Sequence, residues 1–277
     1  MTVIYEPKGK AREYAPLALN HYRGCDHGCS YCYVPAIFAR DSGYVHSDVK
    51  PRENVIEQLQ KELKHGAPDK QILLSFTGDP YCHADVLIEL TRRVLKMLSE
   101  AKAMIAVLTK GGTRCLRDID LFKSWPSPLK VGATLTFLTP AKSEQHEPHA
   151  SLPVDRLIAL RELHEAGVRT WASIEPVIEP KESLAVIRES LPFVDEYKIG
   201  KLNHVENNTD WAQFLRDAVA IMREARKPFY LKEDLRAYCP PDVQLSPEEC
   251  DMDYLTLKRP WNYRPGQAKE AQARLFG

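Results

Sequence analysis

Three of the chain's seven cysteines lie within eight residues, at Cys25, Cys29 and Cys32, in the stretch RGCDHGCSYCYVP. Three thiolates on one tight loop can ligate three irons of a [4Fe–4S] cluster, which leaves the fourth iron without a protein ligand and open to chemistry. Gly24 and Gly28 would let the loop wrap closely, because glycine adopts backbone angles that other residues avoid. The spacing therefore predicts an iron–sulfur site with one open position.

A structural zinc ion is the alternative for the same three cysteines, with His21 or His27 as its fourth ligand. A zinc ribbon usually brings a second Cys-x2-Cys pair, whereas the other cysteines of this chain are isolated: Cys82, Cys115, Cys239 and Cys250. The eleven positions that separate Cys239 from Cys250 do not match a compact ligand motif, so they make a weak case for a second cluster.

Polar side chains recur where short apolar runs end. Thr77, Gly78 and Asp79 follow one run in SFTGDPYCHAD, and Thr109 and Lys110 end another in VLTKGG. An ordinary strand-to-helix turn would explain the glycines and Asp79, but it does not require the lysine.

Two later runs end in charged groups. Ser173 and Glu175 belong to SIEPVIEP, and Lys198 and Lys201 belong to EYKIGKLNH. Cations at a strand end suggest an anionic ligand, to which three more residues could contribute: Asn203, His204 and Lys232. Exposed lysines that cap short strands, and a solvated Glu175, are the alternatives.

These side chains need a scaffold, and the apolar periodicity indicates alternating strands and helices. Strands are predicted at 17–22, 72–76, 104–109, 130–136, 170–174 and 196–201, with a candidate seventh at 229–232. Between the second and third strands, an amphipathic run carries Val86, Leu87, Leu90, Val94, Leu95 and Leu98 on one predicted helix face. Parallel strands with crossover helices favour an α/β barrel, closed or partly closed, over a flat doubly wound sheet. Its strand ends would gather the polar residues at one mouth.

The composition sets the outer bounds. With 277 residues, 44% of them hydrophobic, we expect one main domain at 1–235 and an appended extension at 236–277 that is rich in proline and charge. The polar start MTVIYEPKGK and the lack of an 18-residue apolar run predict a cytoplasmic protein without a membrane segment. Lysine plus arginine equals aspartate plus glutamate, at 38 each, so no dominant attraction to nucleic acid is expected. The balanced net charge does not exclude a local basic groove.

The pattern C-x3-C-x-aromatic-C, formed by Cys25, Cys29, Tyr31 and Cys32, resembles the signature of radical S-adenosylmethionine (radical SAM) enzymes. That resemblance implies a partial (β/α)6 barrel, a [4Fe–4S] cluster and S-adenosylmethionine chelated to the open iron. It also implies an electron donor such as flavodoxin or ferredoxin, and a 5′-deoxyadenosyl radical that abstracts a hydrogen atom.

The same resemblance suggests which residues contact the cofactor. The segment Thr77, Gly78, Asp79 lies where the family binds the methionine amino group, and Ser173 and Glu175 would reach the ribose hydroxyls or that amino group. The remaining candidates for cofactor binding are Tyr31, Tyr33, Thr109 and Lys110.

The stretches LALNHYRGCDHGCSYCYVP, SFTGDPY, LTKGGTRCLRDIDL and SIEPVIEPKESL are similar to the branch that includes spore photoproduct lyase, over most of 5–235. That lyase repairs a thymine dimer with a cysteine hydrogen donor just ahead of a T-x-D segment. Here Phe76 occupies that slot, so Cys82 is the alternative donor, and Lys198 and Lys201 complete the predicted catalytic set.

Three functions follow as hypotheses. The first is radical chemistry on a DNA or nucleotide lesion, for which a tail patch could supply stacking and phosphate contacts: Lys258, Arg259, Trp261, Tyr263 and Arg264. The second keeps the radical chemistry and acts on a peptide side chain or small metabolite. The third is a non-catalytic metal-binding protein.

Overall fold

The structure is a computed structural model that describes residues 2–202 and 208–258. Ten strands form two sheets in these ranges. The strands are β1 (Ile4–Tyr5), β2 (Leu17–Leu19), β3 (Tyr22–Arg23), β4 (Lys50–Pro51), β5 (Ile72–Leu74), β6 (Ile105–Thr109), β7 (Leu129–Thr134), β8 (Thr170–Val177), β9 (Glu196–Lys201) and β10 (Phe229–Leu231).

Helices connect the strands. The α-helices of the described ranges are α1 (Val34–Phe38), α2 (Ser42–Ser47), α3 (Val55–Glu62), α4 (His83–Ile88), α5 (Leu90–Glu100), α6 (Ile119–Lys123), α7 (Pro140–His146), α8 (Pro153–Glu165), α9 (Pro180–Ser190), α10 (Trp211–Glu224), α11 (Glu233–Arg236) and α12 (Pro247–Cys250). Short 3-10 helices lie at Gly9–Glu13, Leu63–His65 and Gly112–Asp118, and a π-helical turn lies at Tyr254–Lys258.

The main sheet has the order β1-β2-β5-β6-β7-β8-β9-β10. All its neighbours pair in parallel except β1, which is antiparallel to β2. Within the described residues no ladder joins β1 to β10, so the sheet is a partial barrel. The predicted fold class is confirmed, and the candidate seventh strand is present as β10.

The first predicted strand, 17–22, is divided. Its first half is β2, but Tyr22 leaves the main sheet and pairs with Pro51 as part of the β3–β4 ribbon. Between the two halves, the side-chain oxygen of Asn20 accepts hydrogen bonds from the amides of Phe76 and Thr77, at 2.7 and 3.1 Å. The Asn20 side chain thus takes the place of the backbone hydrogen bonds between β2 and β5, and the chain leaves the main sheet after this residue.

The apolar faces predicted for the helices are buried, with one exception. Leu90, Val94 and Leu95 of α5 lie in the core, but Val86 and Leu87 are 55% and 90% exposed. The predicted single helix face is wrong here because α4 ends at Ile88 and Glu89 has a positive φ of 52°, which rotates α4 relative to α5.

The N-terminal segment fills the interior of the barrel. Ala15 is fully buried against Leu73, Ala106 and Trp171. Farther down the barrel, Lys130 pairs with Glu196, which also accepts from Arg169.

The described part of the extension packs onto this lower end of the barrel. Arg12 binds Asp253 through two hydrogen bonds of 2.7 and 2.8 Å, and Leu255 supplies a carbonyl to Lys130. The predicted boundary between 235 and 236 falls inside α11, and the division into barrel and extension stays a prediction. Across the described ranges, no helix combines the length and apolar character needed to cross a bilayer.

Candidate active site

The cysteine loop, residues 24–33, lies between the β3–β4 ribbon and the ends of the parallel strands. Gly24 has φ +83°, and a Cβ there would lie 2.7 Å from the carbonyl oxygen of Val45, so the close approach requires glycine. The amide of Cys25 donates to that same carbonyl at 3.1 Å, and the amide of Cys32 donates to Cys29 at 3.1 Å. The loop is therefore shaped by its own turns and by its contact with α2.

The three thiols of the loop are free and half-buried, and one cation lies near them all. Burial raises the pKa of each thiol, while the Lys110 ammonium lowers the pKa of Cys25, Cys29 and Cys32 alike. The backbone amides of His27 and Val34 also lower the pKa of Cys25 and Cys32, respectively. A neighbouring cation and N–H donors to sulfur stabilise thiolates, so the donor set fits an iron–sulfur cluster.

The zinc alternative fits less well. His21 is fully buried with Nε2 2.8 Å from Thr91, and the Nε2 of His27 lies 3.2 Å from the Arg114 guanidinium. Within the described residues, no three His, Cys, Asp or Glu side chains are placed to hold one metal ion. The Nε2 atoms of both histidines are thus engaged by other side chains, and a structural zinc site stays the alternative hypothesis.

Tyr31 anchors the cysteine loop to a buried ion pair that the sequence did not reveal. Its hydroxyl donates to Oε1 of Glu147, whose Oε2 accepts from Arg156 at 2.6 Å. Glu147 and Arg156 are 2% and 1% exposed. Burial favours the neutral carboxyl, but Arg156 and Lys110 lower the pKa of Glu147 to about 2. The Lys110 ammonium also lies 5.5 Å from the Tyr31 ring centroid.

Asp79 joins the loop after β5 to the end of β6. Its Oδ1 accepts from the Tyr81 amide at 2.8 Å and from the Thr109 hydroxyl at 2.6 Å, and its Oδ2 accepts from the Lys110 amide at 2.7 Å. Burial raises its pKa, but His27 and these hydrogen bonds lower it below the usual range. The carboxylate thus holds the backbone of Lys110, and the contact of the Thr77–Asp79 segment with the cofactor stays a prediction.

The rest of the predicted cofactor segment lies beside the cysteine loop. A Cβ on Gly78 would be 2.8 Å from the carbonyl oxygen of Gly24. Tyr33 donates to the Phe76 carbonyl at 2.7 Å, and Thr77 is held through its amide by Asn20. The loops after β2 and β5 are therefore in direct contact.

Glu175 lies in a polar cluster at the other side of the barrel mouth. Lys232 donates to its two carboxylate oxygens at 2.9 and 2.7 Å, and the Tyr14 hydroxyl donates to it as well. Tyr14 is also 2.8 Å from the Ser173 hydroxyl. A Cβ on Gly200 would lie 2.8 Å from Cδ of Lys232 and 2.9 Å from Cδ of Glu175, so the pair requires glycine there.

The two lysines predicted to be catalytic point in different directions. Lys198 is 1% exposed and donates to the carbonyls of Glu13 and Tyr14, at 2.5 and 2.9 Å. Burial lowers the pKa of Lys198 well below its ordinary value. Lys201 instead lies 5.5 Å from the ring centroids of both Trp211 and Tyr238. Lys201 thus contacts aromatic rings of α10 and of the segment after α11, and the catalytic role of both lysines stays a prediction.

The remaining cysteines lie in two places: Cys82 and Cys115 share one core, and Cys239 lies close enough to Cys250 for the two thiols to interact electrostatically. Cys82 is fully buried at the N-cap of α4 and lines a cavity of about 230 Å³ with Arg114 and Arg117. Cys115 belongs to the same core as Cys82, whereas Cys239 packs against the core beneath β8–β10. A three-cysteine auxiliary site is not formed by these residues.

Several predicted residues lie outside the described ranges: Asn203, His204, Arg259, Trp261, Tyr263 and Arg264. The side chain of Lys258 is likewise not described. The predicted tail patch stays a prediction.

Comparisons with known proteins agree with this arrangement. A family model described as the radical SAM superfamily matches residues 19–194. An uncharacterised protein of Methanocaldococcus jannaschii is 30% identical over 191 residues, which cover 68% of this chain and 71% of that protein.

Two solved structures share the fold. A spore photoproduct lyase mutant superposes with a TM-score of 0.63 at 13% identity, covering 84% of this chain and 79% of the lyase. Streptococcus suis SuiB bound to S-adenosylmethionine gives 0.58 at 13% identity, with 83% of this chain and 53% of SuiB covered. The chain thus spans about half the length of SuiB.

Proposed function

The chain belongs to the radical SAM superfamily, and on that premise we propose that Cys25, Cys29 and Cys32 hold a [4Fe–4S] cluster that acts with S-adenosylmethionine. The observation that carries this proposal is the gathering of three free thiols on one loop beside the Lys110 ammonium. The loop contacts the segment after β5 through Tyr33 and lies beside Lys110 at the end of β6, and a parallel barrel places its reactive groups at such strand ends.

The group bound there would supply one electron to the sulfonium of S-adenosylmethionine, so that the C5′–S bond breaks into methionine and a 5′-deoxyadenosyl radical that takes a hydrogen atom from the substrate. The chain's own residues hold and shield these reactants. Lys110 offers positive charge beside the thiolates, and Asp79 fixes the backbone of Lys110. Trp171 and Tyr14 pack inside the barrel, where they would limit the entry of water from below.

The proposed contacts to S-adenosylmethionine fall into two groups. Tyr31, Tyr33, Thr77 and Gly78 line the side of the cysteine loop, while Ser173 and Glu175 would accept from ribose hydroxyls or the amino group on the opposite side. The Thr109 hydroxyl donates to Asp79, and Asp79 also accepts from the Lys110 amide. Besides any contact with the cofactor, the two side chains would therefore act as positioning residues for Lys110.

We propose a nucleic-acid or nucleotide lesion as the substrate, with Cys82 as the candidate hydrogen donor. The similarity of the motifs to the spore photoproduct lyase branch supports this choice. Because Cys82 is fully buried, donation by this thiol would require the cavity beside it to admit the substrate. Lys198 and Lys201 complete the proposed catalytic set, and Lys198 also donates to the carbonyls of Glu13 and Tyr14.

Anaerobic reconstitution followed by dithionite and S-adenosylmethionine tests this function. We expect iron and sulfide to bind, and 5′-deoxyadenosine to form at a rate that rises when an oligonucleotide carrying thymine dimers is added. A rate that ignores the oligonucleotide, together with DNA binding that shows no salt dependence, would favour a peptide or small-metabolite substrate. Zinc at one ion per chain without iron would instead identify a non-catalytic metal-binding protein.

A further inference from the structure

An exposed apolar patch lies directly outside the cysteine loop. Nine consecutive residues, 36–44, are exposed, and Ile37, Phe38 and Tyr44 are 59%, 51% and 38% accessible. Tyr33, 45% exposed, continues the surface toward Cys32. We call the α1–α2 patch the set Arg23, Tyr33, Ile37, Phe38, Arg40 and Tyr44. Clustered apolar side chains of this kind mark interaction sites on protein surfaces.

The patch carries positive charge that the chain does not neutralise. The guanidinium carbons of Arg23 and Arg40 lie 5.1 and 5.4 Å from the Tyr44 ring centroid, and Arg23 also donates to the Tyr44 hydroxyl. Neither arginine forms an ion pair with any residue that the structure describes. Both are exposed, so their charge faces the solvent and any approaching partner.

Very little structure separates this surface from the proposed cluster ligands. Tyr33 follows Cys32 directly in the chain. Tyr44 is followed by Val45, whose carbonyl accepts from the Cys25 amide at 3.1 Å, and Nδ1 of His46 is 2.8 Å from the Cys25 carbonyl oxygen.

The other side of the cysteine loop is closed by the chain itself. Ser30 donates its amide to the His146 carbonyl at 2.8 Å, and the His149 amide donates to the His27 carbonyl at 3.1 Å. A partner bound to the α1–α2 patch would therefore lie one residue from Cys32 and one hydrogen bond from Cys25, and it would approach from outside the barrel mouth.

We propose that the α1–α2 patch docks a small acidic electron-transfer protein that reduces the cluster. This inference rests on the proposed function. An apolar centre with a rim of unpaired arginines complements an acidic partner with a small apolar face, and redox encounters use small interfaces with electrostatic steering. Asp48 is paired with Lys50 at 2.7 Å and Asp41 accepts from the Gly43 amide, so the two arginines keep their charge for a partner. Nucleic acid could use the same arginines and rings, but the patch lies outside the barrel mouth, beside the cluster ligands and away from the strand ends where a substrate would react.

Two reductants distinguish docking from catalysis. Arg40→Glu and Phe38→Ser should each slow cluster reduction and 5′-deoxyadenosine formation by about tenfold when flavodoxin and its NADPH-dependent reductase supply electrons at low salt. With dithionite, which needs no docking surface, both variants should match the wild type. Lys96→Glu on α5 and Ile158→Ser on α8 change exposed residues elsewhere and should match the wild type with both reductants.

A binding measurement keeps the test independent of turnover. Labelled flavodoxin should bind the cluster-free chain with a Kd that rises with salt and rises about tenfold in Arg40→Glu. Unchanged flavodoxin-driven rates and Kd in both patch variants would overturn the docking proposal, as would an equal loss with dithionite. A wild type that yields no 5′-deoxyadenosine with dithionite would instead overturn the proposed function, while the Kd values would still decide the docking surface.

Discussion

The hydroxyl of Tyr31, in the middle of the cysteine loop, donates a hydrogen bond to Glu147, a residue 116 positions later in the chain. Glu147 is in turn paired with Arg156, and Ser143 donates to the same carboxylate at 3.1 Å. The loop that carries the proposed ligands is thus fastened to a buried ion pair beyond β7. Five predictions follow from this contact and from others of the site and its surroundings.

Removing the carboxylate should destabilise the fold. Glu147→Ala would leave the Arg156 guanidinium buried without its counter-ion, which costs about 3–5 kcal/mol. Chemical denaturation of the cluster-free protein measures this loss. The double variant Glu147→Leu, Arg156→Met removes both charges and should recover most of it; if it does not, the pair contributes more than charge compensation.

Tyr31→Phe should be much milder for stability, about 1 kcal/mol, because Glu147 keeps Arg156 and Ser143 as donors. Its main effect should be on the cysteine loop, which loses its tether. We expect less iron per chain after reconstitution, measured against the wild type at equal sulfide. Full iron loading in Tyr31→Phe would show that the hydroxyl does not position the loop.

Stability should fall as the solution is acidified because of His21. Thr91 donates its hydroxyl to the Pro80 carbonyl, so Nε2 of His21 donates to Thr91, and the buried Nδ1 has no hydrogen-bond partner among the described residues. Burial lowers the pKa of His21 to about 4, although Asp85 and Asp79 act in the opposite direction. The folded state therefore resists a proton that the unfolded state accepts below its pKa of about 6.5.

The contribution of neutral His21 to the unfolding free energy is fully present above pH 6.5 and is lost between pH 6.5 and 4. Going from pH 7.5 to 5, the wild type should lose about 2 kcal/mol of unfolding free energy through this residue. His21→Gln keeps a donor for Thr91 and cannot titrate, so its pH dependence should be shallower by that amount. Parallel curves for the two proteins would rule out His21 as the cause.

Glu175→Gln should weaken binding of S-adenosylmethionine to the reconstituted protein. A charged acceptor is replaced by a neutral one, which corresponds to about a ten- to hundredfold rise in Kd. Isothermal titration without reductant measures this. Glu189→Gln, on the exposed face of α9, is the matched control. If only the unfolding free energy of Glu175→Gln changes, Glu175 is a structural partner of Lys232 and nothing more.

Cys29→Ser should abolish cluster binding, because three thiolates are the minimum that the loop supplies. Iron and sulfide analysis with the visible absorption spectrum gives the readout. Cys239→Ser removes a half-buried thiol of the other core and should bind iron as the wild type does. Equal loss of iron in both variants would refute the assignment to Cys25, Cys29 and Cys32.

Two features that the sequence interpretation missed depend on a single backbone dihedral angle and on contacts made by a segment without apolar periodicity. A periodic apolar run predicts one continuous helix face, but the positive φ of Glu89 divides it and leaves Leu87 in solvent. Likewise, the sequence places Lys198 in a predicted strand, yet the apolar periodicity says nothing about what fills the barrel. The carbonyls of Glu13 and Tyr14, which bind Lys198, come from a segment with no periodic signal.

The sequence by itself indicated the parallel strands β2 and β5 to β10 and the cysteine trio, because those depend on local periodicity and on spacing along a single loop. It did not indicate β1 or the β3–β4 ribbon, which are only two residues per strand. Only the tertiary structure decided that Asp79 binds backbone and hydroxyl groups, that Lys201 contacts aromatic rings, and that Glu147 with Arg156 underlies Tyr31. Buried polar groups must find partners wherever the fold brings them, and those partners lie tens to hundreds of residues away.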